Sequence, residues 1–119
     1  MTSVILIDDE PTITETWHQL FQAKDYDVLG HARNGEEAFC LYKKSMPDFV
    51  IMDIMMPEFD GSYGIEKIKT YDPNAKIIVV TGYLEQSESE LLNVFPVSEI
   101  IYKPFDINQI KNAITNALL

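Results

Sequence analysis

The sequence predicts a doubly wound α/β domain in which five β-α units build one five-stranded parallel sheet with helices on both faces. Three observations carry this prediction. Four short apolar runs, Val4 to Ile7, Phe49 to Met52, Ile77 to Val80 and Ile100 to Tyr102, are continuous rather than alternating, as expected of strands covered on both faces. Segments of helical period lie between them. The units repeat in the order β then α, which calls for right-handed crossovers and helices on both sides of the sheet. At 119 residues the chain suits one compact core, so residues 1–119 read as a single domain with no internal repeat, linker or low-complexity tract.

The elements follow in order. After the first apolar run, Ile13, Trp17, Leu20 and Phe21 fall at i, i+4, i+7 and i+8, and Pro11 sits near the helix start, where its missing N–H costs little. Tyr26 to Ala32 is a weaker strand candidate whose apolar content is Val28 and Leu29. The second helix runs from about Asn34 to Ser45. Asn34 can cap it, Glu37 three residues on resembles a capping box, and Ala38, Leu41 and Tyr42 share a stripe. The third spans roughly Ser62 to Tyr71 with Ile65 and Ile68 inward, and Gly64 weakens it by about 1 kcal/mol relative to Ala. The fourth, near Gln86 to Phe95, is short and acidic. The last, Asp106 to Leu118, has Asp106 as its N-cap and Ile107, Ile110, Ala113, Ile114 and Ala117 along one side.

Composition bounds the partners. Nine Lys and Arg against nineteen Asp and Glu leave a formal charge of −10, so the average field repels nucleic-acid backbones and anionic membrane surfaces. The lone Cys40 cannot close an intrachain disulfide. There is no signal-peptide core and no uninterrupted span of ~20 apolar residues. A soluble, cytoplasmic protein without membrane insertion is expected.

In a doubly wound sheet, ligands bind beyond the carboxyl ends of the strands. Asp8, Asp9 and Glu10 follow the first run, Asp53 ends the third strand, Thr81 follows the fourth, and Lys103-Pro104 follows the fifth. Acidic residues in such turns are usually helix caps or solvated loop groups. Three converging carboxylates are different, because like charges ~4 Å apart repel by roughly 4 kcal/mol at an effective dielectric near 20. A divalent cation is the natural remedy, and an all-oxygen donor set selects Mg²⁺ or Mn²⁺. His18 and His31 stand alone in the sequence, which disfavours zinc.

The strings Asp8-Asp9-Glu10, Asp53-Ile54-Met55-Met56-Pro57 followed by Asp60-Gly61, Thr81-Gly82 and Lys103-Pro104-Phe105 together resemble the receiver domain of two-component response regulators, of the chemotaxis-regulator type. The resemblance covers essentially the whole chain and implies the flavodoxin-like (βα)5 fold. It implies that Asp53 is the phosphoacceptor, taking a phosphoryl group from a sensor histidine kinase or a histidine phosphotransfer protein. Asp8 and Asp9, with Asp53 and the backbone carbonyl of Met55, would hold Mg²⁺. Thr81 and Lys103 would grip the phosphoryl oxygens, and Lys103-Pro104 matches the bond that is cis in the family. Phosphoryl transfer agrees with this independently, since it needs an in-line nucleophile and neutralised oxygens more than elaborate machinery. Phosphorylation is expected to bias a surface of the fourth helix, fifth strand and fifth helix. With the chain ending at the last helix, a stand-alone receiver without an output domain is expected to signal by contact with a downstream protein.

Three departures from the family pattern bear on output. Where the family has Tyr or Phe three residues before the lysine, this chain has Ile100; Tyr102, on the same face by strand alternation, is the nearby aromatic. Met55 and Tyr83 occupy positions that in the family tune access of the hydrolytic water, and the resemblance implies slow self-dephosphorylation for such bulky groups. Phe95-Pro96-Val97-Ser98 replaces the usual Gly-Ala pair. Two rivals remain: a phosphorylation-independent binding module, and a Mg²⁺-dependent aspartyl phosphatase of the haloacid-dehalogenase type, whose Asp-x-Asp spacing Asp8-Asp9-Glu10 lacks. Flavodoxin-like cofactor binding is weaker still, since no Gly-rich phosphate loop follows the first strand.

Overall fold

The computed structural model describes residues 1–54 and 61–118. Ten elements alternate: β1 (Ser3–Ile7), α1 (Pro11–Ala23), β2 (Asp27–Ala32), α2 (Gly35–Ser45), β3 (Phe49–Asp53), α3 (Gly61–Tyr71), β4 (Ile77–Thr81), α4 (Gln86–Val94), β5 (Glu99–Tyr102) and α5 (Ile107–Leu118). The strands form one sheet in the order β2-β1-β3-β4-β5, every pairing parallel. Between β1 and β3 the winding reverses, and the crevice expected at such a reversal opens at their carboxyl ends.

Strand alternation divides the core in two. Ile5, Ile7, Val50, Met52, Ile77 and Val79 face Ala38 and Tyr42 of α2 and Ile65 and Ile68 of α3. Val4, Leu6, Phe49, Ile51, Ile78 and Val80 face Trp17 and Phe21 of α1 and Ile110 and Ile114 of α5. β1, β3 and β4 are buried almost throughout, which accounts for their continuous apolar sequences. β2, at the sheet edge, alternates exposed and covered positions, which accounts for its weak signal.

Capping and packing refine the helices. Glu37 N–H donates to Asn34 Oδ1 at 2.9 Å, as expected, but Glu37 Oε1 accepts from Arg33 N–H at 3.1 Å, one residue upstream of a standard capping box. Asp106 and Gln109 do cap α5 reciprocally: Asn108 N–H donates to Asp106 Oδ1 at 2.8 Å, and Asp106 N–H donates to Gln109 Oε1 at 2.9 Å. α4 begins after Glu85, whose N–H donates to Glu88 Oε1 at 2.8 Å. On α1 the buried stripe is Thr14, Trp17 and Phe21, while Leu20 is exposed. Thr14 joins the buried stripe because its hydroxyl donates to the Pro11 carbonyl at 3.1 Å. Gly64 has a packing reason, since a Cβ there would sit 3.0 Å from the Gly35 Cα. It lets α3 approach α2 closely, in return for the helix propensity it forgoes.

Candidate functional site

The crevice at the carboxyl ends collects the groups singled out from the sequence. Asp8 follows β1, Asp53 ends β3, Thr81 ends β4 and Lys103 follows β5. One carboxylate oxygen from each of Asp8, Asp9 and Asp53 lies within 4.8 Å of the other two. Lys103 reaches in from the far side, with Nζ 3.1 Å from Asp53 Oδ2 and 3.8 Å from Asp8 Oδ2. Lys103 therefore hydrogen-bonds Asp53 and only approaches Asp8.

Asp8 carries the electrostatic strain. Its Oδ1 accepts the Glu10 N–H at 3.0 Å, whereas the buried Oδ2 has no hydrogen-bond partner among the described residues. Burial, in the first place, pushes its carboxyl up to about 6, and the charge on Asp53 adds to that; the Glu10 N–H and Lys103 pull the other way. A buried acceptor without a donor, facing two more carboxylates, is what a hard divalent cation satisfies. The residues present thus fit Mg²⁺. Met55, whose carbonyl was expected among the ligands, lies outside the described residues.

Backbone contacts hold these side chains in place. Lys103 N–H donates to the Thr81 carbonyl at 2.8 Å, tying the β5 end to the β4 end, and the Lys103-Pro104 peptide bond is cis. The Thr81 side chain is fully buried, and its hydroxyl donates to the Tyr83 carbonyl at 2.8 Å. Behind Asp53, Gly61 N–H donates to the Ile54 carbonyl at 3.2 Å. A Cβ at Gly61 would come within 2.8 Å of the Asp53 carbonyl oxygen and 2.5 Å of the Ile54 Cα. Glycine is required here so that α3 can start directly against the acceptor strand.

Three features were not legible beforehand. Ile13, Trp17 and Leu20 of α1, with Phe105, Ile107 and the Lys103 stem, line an open, mainly apolar groove of about 720 Å³ beside the acidic crevice. Leu20 belongs to this groove rather than to the core, and its place at the margin of the α1 stripe was the available signal. Ile100 and Tyr102 both line a second groove, against Leu92 of α4, and Tyr102 is 53% exposed. Finally, His18 and His31 do not stand alone: His18 Nδ1 lies 2.7 Å from His31 Nε2. Packing of α1 beside β2 creates that contact.

The family model described as response regulator receiver domain matches residues 4–115. Protein CcdB of Bacillus subtilis (strain 168) is 32% identical over 118 residues, covering 99% of this chain and 98% of the relative. Chemotaxis protein CheY of Thermotoga maritima is 35% identical over 111 residues, covering 93% of this chain and 92% of the relative. Among solved structures, response regulator protein TrrA of Thermotoga maritima, in complex with Mg(2+)-BeF, superposes with a TM-score of 0.84 at 30% identity, covering 98% of this chain and 99% of that one.

Proposed function

Because the chain belongs to the response regulator receiver domain family of two-component signalling, we propose that it accepts a phosphoryl group on Asp53 from the phosphohistidine of a sensor histidine kinase or histidine phosphotransfer protein. The observation that carries this reading is the ion pair of Asp53 with Lys103, at 3.1 Å, inside a cluster of three carboxylates. An Asp53 carboxylate oxygen attacks phosphorus as the P–N bond breaks, and the bonding pair leaves with the donor's imidazole. Lys103 then shifts its ammonium from the carboxylate to a phosphoryl oxygen. The Thr81 hydroxyl exchanges its Tyr83 carbonyl partner for another. Asp8, Asp9 and Asp53, with the Met55 carbonyl as a fourth oxygen, are the proposed Mg²⁺ ligands; bound there, the ion neutralises charge on the transferring oxygens.

The groove that runs from Lys103 along Trp17 and Leu20 supports an encounter with a donor protein, since it offers apolar area directly beside the acceptor. The acyl phosphate adds about −2 charge at neutral pH. Its effect reaches a downstream protein by contact, through the face on which Tyr102 lies exposed between β5 and α4. The chain on this reading is a phosphoacceptor signalling domain, without turnover on a small substrate.

Intact-mass measurement after incubation with a small phosphodonor and Mg²⁺ tests the proposal. Wild type should gain one labile phosphoryl group, and Asp53→Asn should gain none. No adduct on wild type would overturn the reading in favour of a phosphorylation-independent binding module. Repeated turnover of an added phosphate ester would overturn it in favour of a phosphatase.

A further inference from the structure

We propose that His18 and His31 form a second metal site, with Glu15 at its rim, for a borderline divalent transition ion such as Zn²⁺ or Ni²⁺, on the outer flank of α1 and β2. The first observation is the pairing of two imidazoles from different elements, His18 Nδ1 on α1 and His31 Nε2 on β2, only 2.7 Å apart. Their rings meet edge to face, with centroids 4.9 Å apart. The two nitrogens are at hydrogen-bond distance, and parting by roughly 0.6 Å would let both bind one tetrahedral ion at about 2.0–2.1 Å each.

The second observation is the sequence Glu15-Thr16-Trp17-His18 on α1. A Glu-x-x-His spacing brings both side chains to one face of a helix, an arrangement that helical metal sites use repeatedly. Glu15, His18 and His31 line one shallow hollow of about 400 Å³ with Thr14 and Gln19. Glu15 lies close enough to His31 to favour its charged form, while burial and His18 lower the His31 pKa. The net effect favours neutral His31, the form that ligates, and the negative charge of Glu15 would complement that of the ion. Imidazole with one carboxylate suits Zn²⁺ and Ni²⁺, whereas Mg²⁺ prefers the all-oxygen set of Asp8, Asp9 and Asp53. The two sites thus differ in donor chemistry as well as in position.

Any ion held by histidine in this chain must use His18, His31 or both, because the sequence contains two histidines. The test is calorimetric titration of the full chain with Zn²⁺, in excess Mg²⁺ so that the aspartates are occupied. Imidazole nitrogen resonances are followed in parallel by NMR. One Zn²⁺ should bind and shift both rings at stoichiometric metal. His18→Gln and His31→Gln should each weaken it at least about tenfold, as expected when one of two imidazole ligands is removed, and Glu15→Gln by less, since Glu15 contributes through its charge. Unmoved imidazole resonances at one equivalent of Zn²⁺, or Zn²⁺ affinity unchanged in both histidine variants, would overturn the proposal. Phosphorylation at Asp53 should proceed in all three variants, so failure of this site leaves the phosphoacceptor reading separately testable.

Discussion

Asp8→Asn should stabilise the metal-free protein and at the same time remove its stabilisation by Mg²⁺. The Asp8 carboxyl, 2% exposed, is raised from 3.8 to about 6, chiefly by burial. A carboxyl raised in the folded state binds its proton more tightly there than in the unfolded chain. Its contribution to stability is complete below pH ~4 and disappears as pH rises through about 6. That difference in proton affinity between the folded and unfolded chain corresponds to roughly 3 kcal/mol at pH 7.5, a ceiling because the surroundings relax around the charge. Asparagine keeps an acceptor for the Glu10 N–H, which lies 3.0 Å from Oδ1, and leaves Lys103 on Asp53. The variant should therefore be about 1–3 kcal/mol more stable than wild type to urea at pH 7.5 with chelator present. The gap should close as pH falls toward 4. Saturating Mg²⁺ should raise wild type by RT ln(1 + [Mg²⁺]/Kd) and move the variant little. A variant no more stable than wild type in chelator, or equal Mg²⁺ shifts for both, would refute the account of Asp8 as a buried charge awaiting a cation.

Two further substitutions separate packing from chemistry. Gly61→Ala must push its Cβ against the Asp53 carbonyl oxygen and the Ile54 Cα, so it should lose about 1–3 kcal/mol in urea unfolding and slow phosphorylation of Asp53 in the mass assay; wild-type behaviour in both would show that α3 can retreat freely. Tyr42→Phe removes the hydroxyl that donates to Asp72 Oδ2 at 2.6 Å between α2 and the end of α3, with an expected cost of about 1–2 kcal/mol to stability and an unchanged phosphorylation rate.

The sheet was legible because β1, β3 and β4 are buried on both faces, so that apolar content alone marked them. The site was legible for the same reason. Strands that end in a row deliver the residues just after them to one edge, and Asp8, Asp53, Thr81 and Lys103 each sit directly at or after such an end. What escaped was decided between elements. Helical spacing gave α1 an apolar stripe but not the line along which the sheet stops covering it, so Leu20 read as core although it lies at a groove. His18 and His31, thirteen residues apart, meet only after α1 packs beside β2. α4 carries no Ser, Thr, Asp or Asn cap, and its start is held instead by the Glu85 N–H and the Glu88 carboxylate, a pairing that residue preferences rank low. Gly61 was recognisable as part of a motif, but its physical reason appears only with the Asp53 carbonyl against it.

The distribution of Lys103 between two carboxylates also sets how the two halves of the site depend on each other. At 3.1 Å from Asp53 and 3.8 Å from Asp8, one ammonium serves the first acid and leaves the second mostly to itself. On the proposed phosphoacceptor role of Asp53, a phosphoryl group there would draw Lys103 to the new oxygens, and Asp8 would lose even the partial attraction it had. Asp8 and Asp9 then face more negative charge with less protein compensation, so their demand for a divalent cation rises. By linkage, a cation bound more tightly by the phosphorylated form favours phosphorylation by the same factor. The buried, unpartnered Oδ2 of Asp8 is therefore more than a local cost to stability. On the proposed role of Asp53 it would couple metal occupancy to phosphorylation.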